Sequence, residues 1–190
     1  MSTTTGQLAV RRLHDDNSPM TTAYIGIGSN VGDRWSHVRA AFDALAALPE
    51  TMLSARSEVY ETAPVGPTPM GMFLNAVAVI ETDLPAESVL DAMQSIEKSQ
   101  GRAAPQVRGH WGPRTLDLDL LLYGDDVLNE KRLTVPHPLM HERWFVLKPL
   151  ADVAGEVVHP VLGQTVVSLL EQLEIREPTA IGQLASRGLL

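Results

Sequence analysis

Between Thr22 and Leu120 the spacing of apolar residues switches between strand and helix periods, and the order of those switches limits the available folds more than any other feature. The run TAYIGIGS (22–29) reads as a buried strand, and Gly28-Ser29-Asn30 with Gly32-Asp33 supplies turn and helix-cap chemistry. Trp35, Val38, Phe42, Leu45 and Leu48 recur at helical spacing, so a helix is expected from about 34 to 48, stopped by Pro49. TMLSARSEVYET (51–62) follows as a strand, and Ala63 to Gly71 form a Pro/Gly-rich loop. FLNAVAVIET (73–82) is the next strand, and Pro85 opens a helix through Val89, Met93, Ile96 and Gln100 that Gly101 closes. After an irregular stretch, Thr115 to Leu120 alternate strictly between polar and apolar, which predicts another strand, followed by a Gly124-Asp125-Asp126 turn and a short hairpin.

The order βαββαβ predicts an α+β fold with a ferredoxin-like core, in which two helices cover one face of an antiparallel sheet. C-terminal additions follow: Thr134-Val135-Pro136-His137-Pro138, a helix expected over 139–147 and another over 165–173. The polar first twenty residues read as a flexible extension, residues 21–176 as one domain and 177–190 as a tail. At 190 residues and 44% hydrophobic content, the chain can build one well-buried core.

Composition narrows the function. A net charge of -8 argues against non-specific binding to nucleic acid or an anionic membrane, so an anionic ligand needs a local basic cluster. With no cysteine, disulfides, thiolate metal sites and a Cys nucleophile are excluded. The N-terminus lacks the apolar stretch of a signal peptide and there is no run of 18 apolar residues, so a soluble, cytoplasmic protein is expected.

Residues two apart on a strand share a face, so Asp117 and Asp119 point together while Leu116, Leu118 and Leu120 point into the core. Mg²⁺ takes one or two carboxylates and completes its octahedron with phosphate oxygens and water, which suits this pair to metal-nucleotide binding. A solvated polar strand face is the competing reading. Upstream, Arg102, Arg108, His110 and Arg114 cluster with Trp111 in an otherwise acidic chain. Guanidiniums beside metal-binding acids are what phosphoryl chemistry needs, although any single arginine is more ordinarily a surface ion pair. Gly26 to Gly32 fail the G-x-G-x-x-G spacing and read instead as a tight turn, and there is no G-x-x-x-x-G-K-[ST] loop. His137 and His141 are four apart, yet HPLMH lacks the acid of H-E-x-x-H and a third ligand for zinc.

The segments AYIGIGSN (23–30), YETAPVG (60–66), FLNAV (73–77), WGPRTLDLDLLLYGD (111–125) and LTVPHPLMHERWFVLKPL (133–150) together resemble the hydroxymethyldihydropterin pyrophosphokinases of folate biosynthesis. The resemblance implies transfer of pyrophosphate from ATP to 6-hydroxymethyl-7,8-dihydropterin, with AMP as the second product. It further implies that Asp117 and Asp119 hold two Mg²⁺ ions, and that Arg102 and Arg114 act with them in catalysis. Gln94, Glu97, Trp111, Arg132, Thr134, His137 and Arg143 would join Arg114 around ATP. The pterin would stack between Phe73 and Phe145, with Thr62, Ala63, Val65 and Asn75 reading its hydrogen-bonding edge. This sequence departs from the pattern at Ala104, where some members carry an arginine that Arg108 is a candidate to replace, and at Pro138, where an aromatic can occur.

Two other readings compete. An RNA-recognition module shares the element order but displays aromatics on its central strands together with basic charge, whereas FLNAVAVI has one aromatic and the chain is acidic. An ordinary kinase would release ADP. Because Met1 to Ser18 carry neither periodic apolar residues nor a matched motif, their deletion is expected to leave turnover and melting temperature unchanged. A loss of several degrees in a thermal melt would show that the segment docks on the core.

Overall fold

The computed structural model describes residues 20–64, 71–101, 114–177 and 182–185. Expectations for the N-terminal extension, for Val65 and for Arg102, Arg108, His110 and Trp111 fall outside those residues. The elements run β1 (Thr21–Ser29), α1 (Arg34–Ala46), β2 (Thr51–Arg56), β3 (Tyr60–Thr62), β4 (Phe73–Thr82), α2 (Ala86–Ser99) and β5 (Asp117–Tyr123). Then come β6 (Leu128–Asn129), β7 (Thr134–Val135), a 3-10 turn (Met140–Glu142), α3 (Trp144–Ala154), α4 (Val166–Arg176) and β8 (Gln183–Leu184).

Every strand pair among the described residues is antiparallel. β1 lies between β5 and β4, and the other side of β4 pairs with β2 over Ala78 to Thr82 and with β3 over Phe73 to Asn75. The expected strand 51–62 is therefore two segments sharing one partner. Ser57 divides them: its Oγ accepts the Val77 N–H at 2.8 Å and its own N–H donates to the Val77 carbonyl at 2.9 Å. Register moves from Arg56↔Ala78 to Tyr60↔Asn75, so the edge strand carries an extra residue there, as in a β-bulge.

Strand alternation sends β1 and β4 side chains to two separate cores. Ala23, Ile25 and Ile27 with Leu74, Ala76, Ala78 and Ile80 pack against Val38, Phe42 and Leu45 of α1 and Val89 and Met93 of α2. Tyr24, Val77 and Val79 face the other way, against Leu147 and Leu150 of α3 and Leu169, Leu170 and Leu173 of α4. The C-terminal additions thus cover the second face of the sheet. A register shift between Tyr24 and Ile25 leaves Leu121 unmatched in β5, so Leu121 and Leu122 both join the α3/α4 layer.

Helix ends follow local chemistry. Asp33 caps α1 by accepting the Ser36 N–H at 3.2 Å, and Thr165 caps α4 by accepting the Ser168 N–H at 3.3 Å. The expected helix 139–147 is instead a 3-10 turn and the start of α3, separated by Arg143 in extended conformation (φ -123°, ψ 107°). The Arg143 carbonyl then accepts from Val146 and Leu147, opening α3 afresh, and the helix continues through Pro149. The expected tail also contributes: β8 pairs with β3, matching Leu184 with Tyr60.

If both layers are integral to one core, truncation on either face is costly. Phe42→Ala is expected to destabilise by about 3–5 kcal/mol and Leu147→Ala by about 2–5 kcal/mol, measured by urea unfolding. A loss below about 1 kcal/mol for Leu147→Ala would show that the α3/α4 layer contributes little to the fold.

Candidate functional site

On the α3 side of the sheet, β1 presents Gly26 and Gly28 where other strand positions present side chains. Gly28 lies between Asn75 of β4 and Asp117 of β5, and Gly26 between Val77 and Asp119. A methyl at Gly28 would sit 3.6 Å from Asn75 Oδ1 and 3.8 Å from Asp117 Cβ, so a larger side chain would occupy the space above the sheet. The expectation of a tight turn holds for Gly32, whose φ of 72° requires it. It fails for Gly26 and Gly28, which are extended strand residues that keep a floor open.

Over that floor is a cavity of about 360 Å³. Thr62, Ala63, Phe73 and Asn75 line it on the β3/β4 side of β1, and Arg114, Asp117 and Asp119 line it on the β5 side. Leu139 and Glu142 from the 3-10 turn region and Arg143, Phe145 and Val146 at the start of α3 complete the wall. The break at Arg143 thus delivers a guanidinium and an aromatic ring to one cavity, with the guanidinium carbon 5.8 Å from the Phe145 ring centre. Phe73 also belongs to the wall, at intermediate exposure. At the polar end of this half, buried Asn75 donates from Nδ2 to Thr62 Oγ1 at 2.8 Å, which fixes its amide orientation.

The acidic end is anchored through backbone. Ser29 Oγ donates to the Thr115 carbonyl at 2.6 Å, the Asn30 N–H donates to the Arg114 carbonyl at 3.0 Å, and the Arg114 N–H donates to Asn30 Oδ1 at 2.7 Å. Both Ser29 and Asn30 are buried, so the end of β1 grips the entry to β5. Arg114 then pairs with Asp117 through its guanidinium. Burial and the neighbouring Asp117 charge raise the Asp119 pKa above the usual carboxylate range, while His137, Arg143 and Arg114 pull it back. Burial lowers the His137 pKa, opposed by the Asp119 charge. His137 Nδ1 accepts the Leu139 N–H at 3.2 Å, so the neutral ring carries its proton on Nε2.

Of the residues expected at the site, the cavity gathers Thr62, Ala63, Phe73, Asn75, Arg114, Asp117, Asp119, Arg143 and Phe145. Gln94, Glu97, Arg132, Thr134 and His137 are not on its wall. Glu97 is buried, and its Oε1 accepts the Leu118 N–H at 2.8 Å at the outer edge of β5, the terminal strand of the sheet. Through this bond Glu97 plays a structural part, tying α2 to the strand that carries both aspartates. Gln94 is exposed one turn earlier, Thr134 is exposed on β7, and exposed Arg132 pairs with Asp91 of α2. His137 stays close enough to Asp119 for their charges to interact. Sequence reasoning missed Gly26, Gly28, Leu139, Glu142 and Val146 as wall residues and Asn30 as the anchor of Arg114. The G-x-G-S-N run was itself the available signal, since glycines alternating along a buried strand remove side chains from one face.

The family model for 7,8-dihydro-6-hydroxymethylpterin-pyrophosphokinase (HPPK) matches residues 24–155. A 2-amino-4-hydroxy-6-hydroxymethyldihydropteridine pyrophosphokinase from Haemophilus influenzae is 42% identical over 153 residues, covering 80% of this chain and 93% of the relative. One of the same name from Pseudomonas aeruginosa is 46% identical over 137 residues, covering 72% and 83%. Among solved structures, a Plasmodium falciparum HPPK-DHPS with pterin and p-hydroxybenzoate shares the fold at a TM-score of 0.65 and 17% identity. That similarity covers 87% of this chain and 45% of the longer one. With the match to its model running from the cavity floor through β5 and α3, the chain belongs to the HPPK family.

Proposed function

We propose that the cavity binds 6-hydroxymethyl-7,8-dihydropterin beside Mg²⁺-ATP and transfers pyrophosphate to it, giving the pterin diphosphate and AMP in folate biosynthesis. The observation that carries this reading is the union, in one cavity, of an aromatic and amide-lined half with a half bearing paired acids and arginines. Phe73 and Phe145 provide faces for a flat heterocycle, while Asn75 and Thr62 provide polar atoms for its edge. A site with such buried polar groups rejects analogues that leave them unpaired. The strand order β5–β1–β4–β2/β3, with α1 and α2 on one face, supports reading the core as a ferredoxin-like split βαβ.

The transfer itself requires the hydroxymethyl oxygen to bond to the β-phosphorus while the bond from that phosphorus to the α,β-bridging oxygen breaks. AMP leaves with the bridging oxygen, and the hydroxyl proton is released to solvent. Arg114 and Arg143 supply cationic donors where charge spreads over the phosphate oxygens, and Arg102 would add a third from the segment before β5. The His137 Nε2–H, off the cavity wall but near enough to Asp119 for their charges to interact, would be a further donor for phosphate extending past the cavity. Gly26 and Gly28 let the acceptor approach the sheet, so the pterin half positions its alcohol toward the acids.

Asp117 and Asp119 fit a pair of Mg²⁺ ions: they offer hard oxygen donors on one strand face, and Asp119 is a buried acid whose charge is opposed by its neighbour. When bound with ATP, Mg²⁺ would supply neutralisation of phosphate charge. The chain's acidic character accords with small-molecule substrates rather than nucleic acid, and no described helix is long and apolar enough to cross a membrane. A cytoplasmic location, where ATP is available, completes the reading.

Incubation with Mg²⁺, ATP and the dihydropterin is expected to release AMP, read by nucleotide separation; ADP or no turnover would refute the reading. Asp117→Ala and Asp119→Ala are each expected to keep under about a tenth of wild-type activity, a deficit above about 1.4 kcal/mol, with the fold intact by circular dichroism.

The raised Asp119 pKa gives a signed pH dependence in the metal-free, ligand-free protein. A carboxyl whose folded pKa is raised is most favourable to folding below its unfolded pKa, and that contribution is lost as pH rises through the folded pKa. Asp119→Asn is therefore expected to melt above wild type at neutral pH, with the difference closing as pH falls below the ordinary carboxylate range. Equal melting temperatures throughout would show that Asp119 is not electrostatically strained.

Phe73→Ala is expected to weaken pterin binding by about 1–3 kcal/mol, while Phe73→Tyr stays near wild type and nucleotide affinity is unchanged in both. Calorimetry with each ligand, beside thermal melting, checks this. Parallel losses for pterin and nucleotide would remove the stacking role.

A further inference from the structure

Gly182, directly before β8, lies beyond residues 24–155, yet it packs against Thr62 of the cavity wall and against Trp144, the residue before Phe145. A Cβ on Gly182 would stand 2.5 Å from Thr62 Cγ2, 2.7 Å from the Glu61 carbonyl oxygen and 2.9 Å from the Trp144 ring. All three distances are shorter than side-chain atoms tolerate, so the Gly182 backbone is wedged between β3 and the first residue of α3.

None of these neighbours can yield cheaply. Glu61 is held in β3 by its pairing with Leu74, and Thr62 receives the Asn75 hydrogen bond. The Trp144 indole N–H donates to Glu174 Oε1 at 2.8 Å, and its ring stands edge-on to Tyr60 at 5.6 Å between centres. From the other direction, Gln183 and Leu184 pair with Glu61 and Tyr60, and the Ala185 N–H donates to the Val59 carbonyl at 2.8 Å. Gly182 is thus clamped at a point where Thr62 is one neighbour and the residue before Phe145 is another.

We propose that Gly182 and β8 form a clip that fixes the gap between β3 and the start of α3, making Gly182 a specificity-determining positioning residue for the pterin. This rests on the reading of the cavity as a pterin site. Thr62 and Asn75 line the cavity from β3 and β4 and Phe145 lines it from the start of α3, so the spacing between β3 and α3 decides whether a flat ring is gripped and its edge paired. Arg114, Asp117 and Asp119 come from β5 and its entry, across β1 from Asn75, and of the phosphate-side groups only Arg143 adjoins Trp144, so the clip acts on pterin affinity more than on nucleotide affinity.

The experiment compares Gly182→Ala, a chain truncated after Glu177 and the surface control Leu184→Ser with wild type. Calorimetry reads the affinity for the dihydropterin at saturating Mg²⁺ and non-hydrolysable ATP analogue, and separately the affinity for the analogue. Gly182→Ala and the truncation are expected to weaken pterin binding at least fivefold, with analogue affinity within twofold, and Leu184→Ser is expected to match wild type. If Gly182→Ala does not fold, the truncated chain decides. Pterin affinity within twofold of wild type, or an equal loss for both ligands, would overturn the clip. Asn75→Ala, run alongside, reports on the cavity assignment: if it loses pterin affinity while the clip variants do not, the clip alone fails. If Asn75→Ala binds pterin normally, the pterin reading fails and the clip with it.

Discussion

Pleat parity in β1 is the constraint on which the site depends. Ile25 and Ile27 are committed to the core beneath α1 and α2, so Gly26 and Gly28 must face α3. Antiparallel pairing then places Asn75 on one side of Gly28 and Asp117 on the other. A slip of one residue between these strands would exchange core for cavity along the whole strand, at the cost of burying two carboxylates among leucines. The same burial that stabilises the fold therefore sets the spacing of the groups that handle the substrate.

Two layers of helices enforce that parity from opposite sides, and they reach the site differently. α2 acts from behind, where Glu97 accepts the Leu118 N–H between the two aspartates. α3 acts from in front, where the extended Arg143 interrupts one helical turn so that another can begin over the cavity. The strand carrying the acids is held along its outer edge by a buried carboxylate and presents the acids to cationic side chains.

Much of this was legible in the sequence because its signals are periodic. The alternation around Asp117 and Asp119 announced both their shared face and the leucine core behind them, and Phe73-Leu74-Asn75 likewise placed two wall residues two apart. What escaped detection depends on contacts distant in sequence. Nothing local distinguishes a Glu97 that bonds a backbone amide of β5 from one that meets a nucleotide. The two-residue β8 is too short to carry a period, and its existence depends on the free edge of β3. The Arg143 break was hidden because residues 139–147 keep helical composition across it, and the 51–62 strand hid a bulge because Ser57 bonds through its side chain. The glycines were misread for a related reason: a turn preference describes what glycine permits, whereas Gly26 and Gly28 matter for the volume they leave empty.

The unmatched Leu121 divides β5 into two reading frames. Upstream of it, Leu118 and Leu120 point toward α1 and α2 and the aspartates toward the cavity; downstream, Leu122 has joined the α3 layer and Tyr123 has returned to the other. Leu121 itself lies 3.4 Å from where a Gly26 side chain would begin, closing the floor beside Asp119. The bulge thus works as an insulator in the evolutionary sense. Substitutions in the Tyr123 hairpin region fall on their own side of the frame change, while the aim of the two carboxylates is set upstream of it, by pairing with β1 and by the Glu97 bond to Leu118.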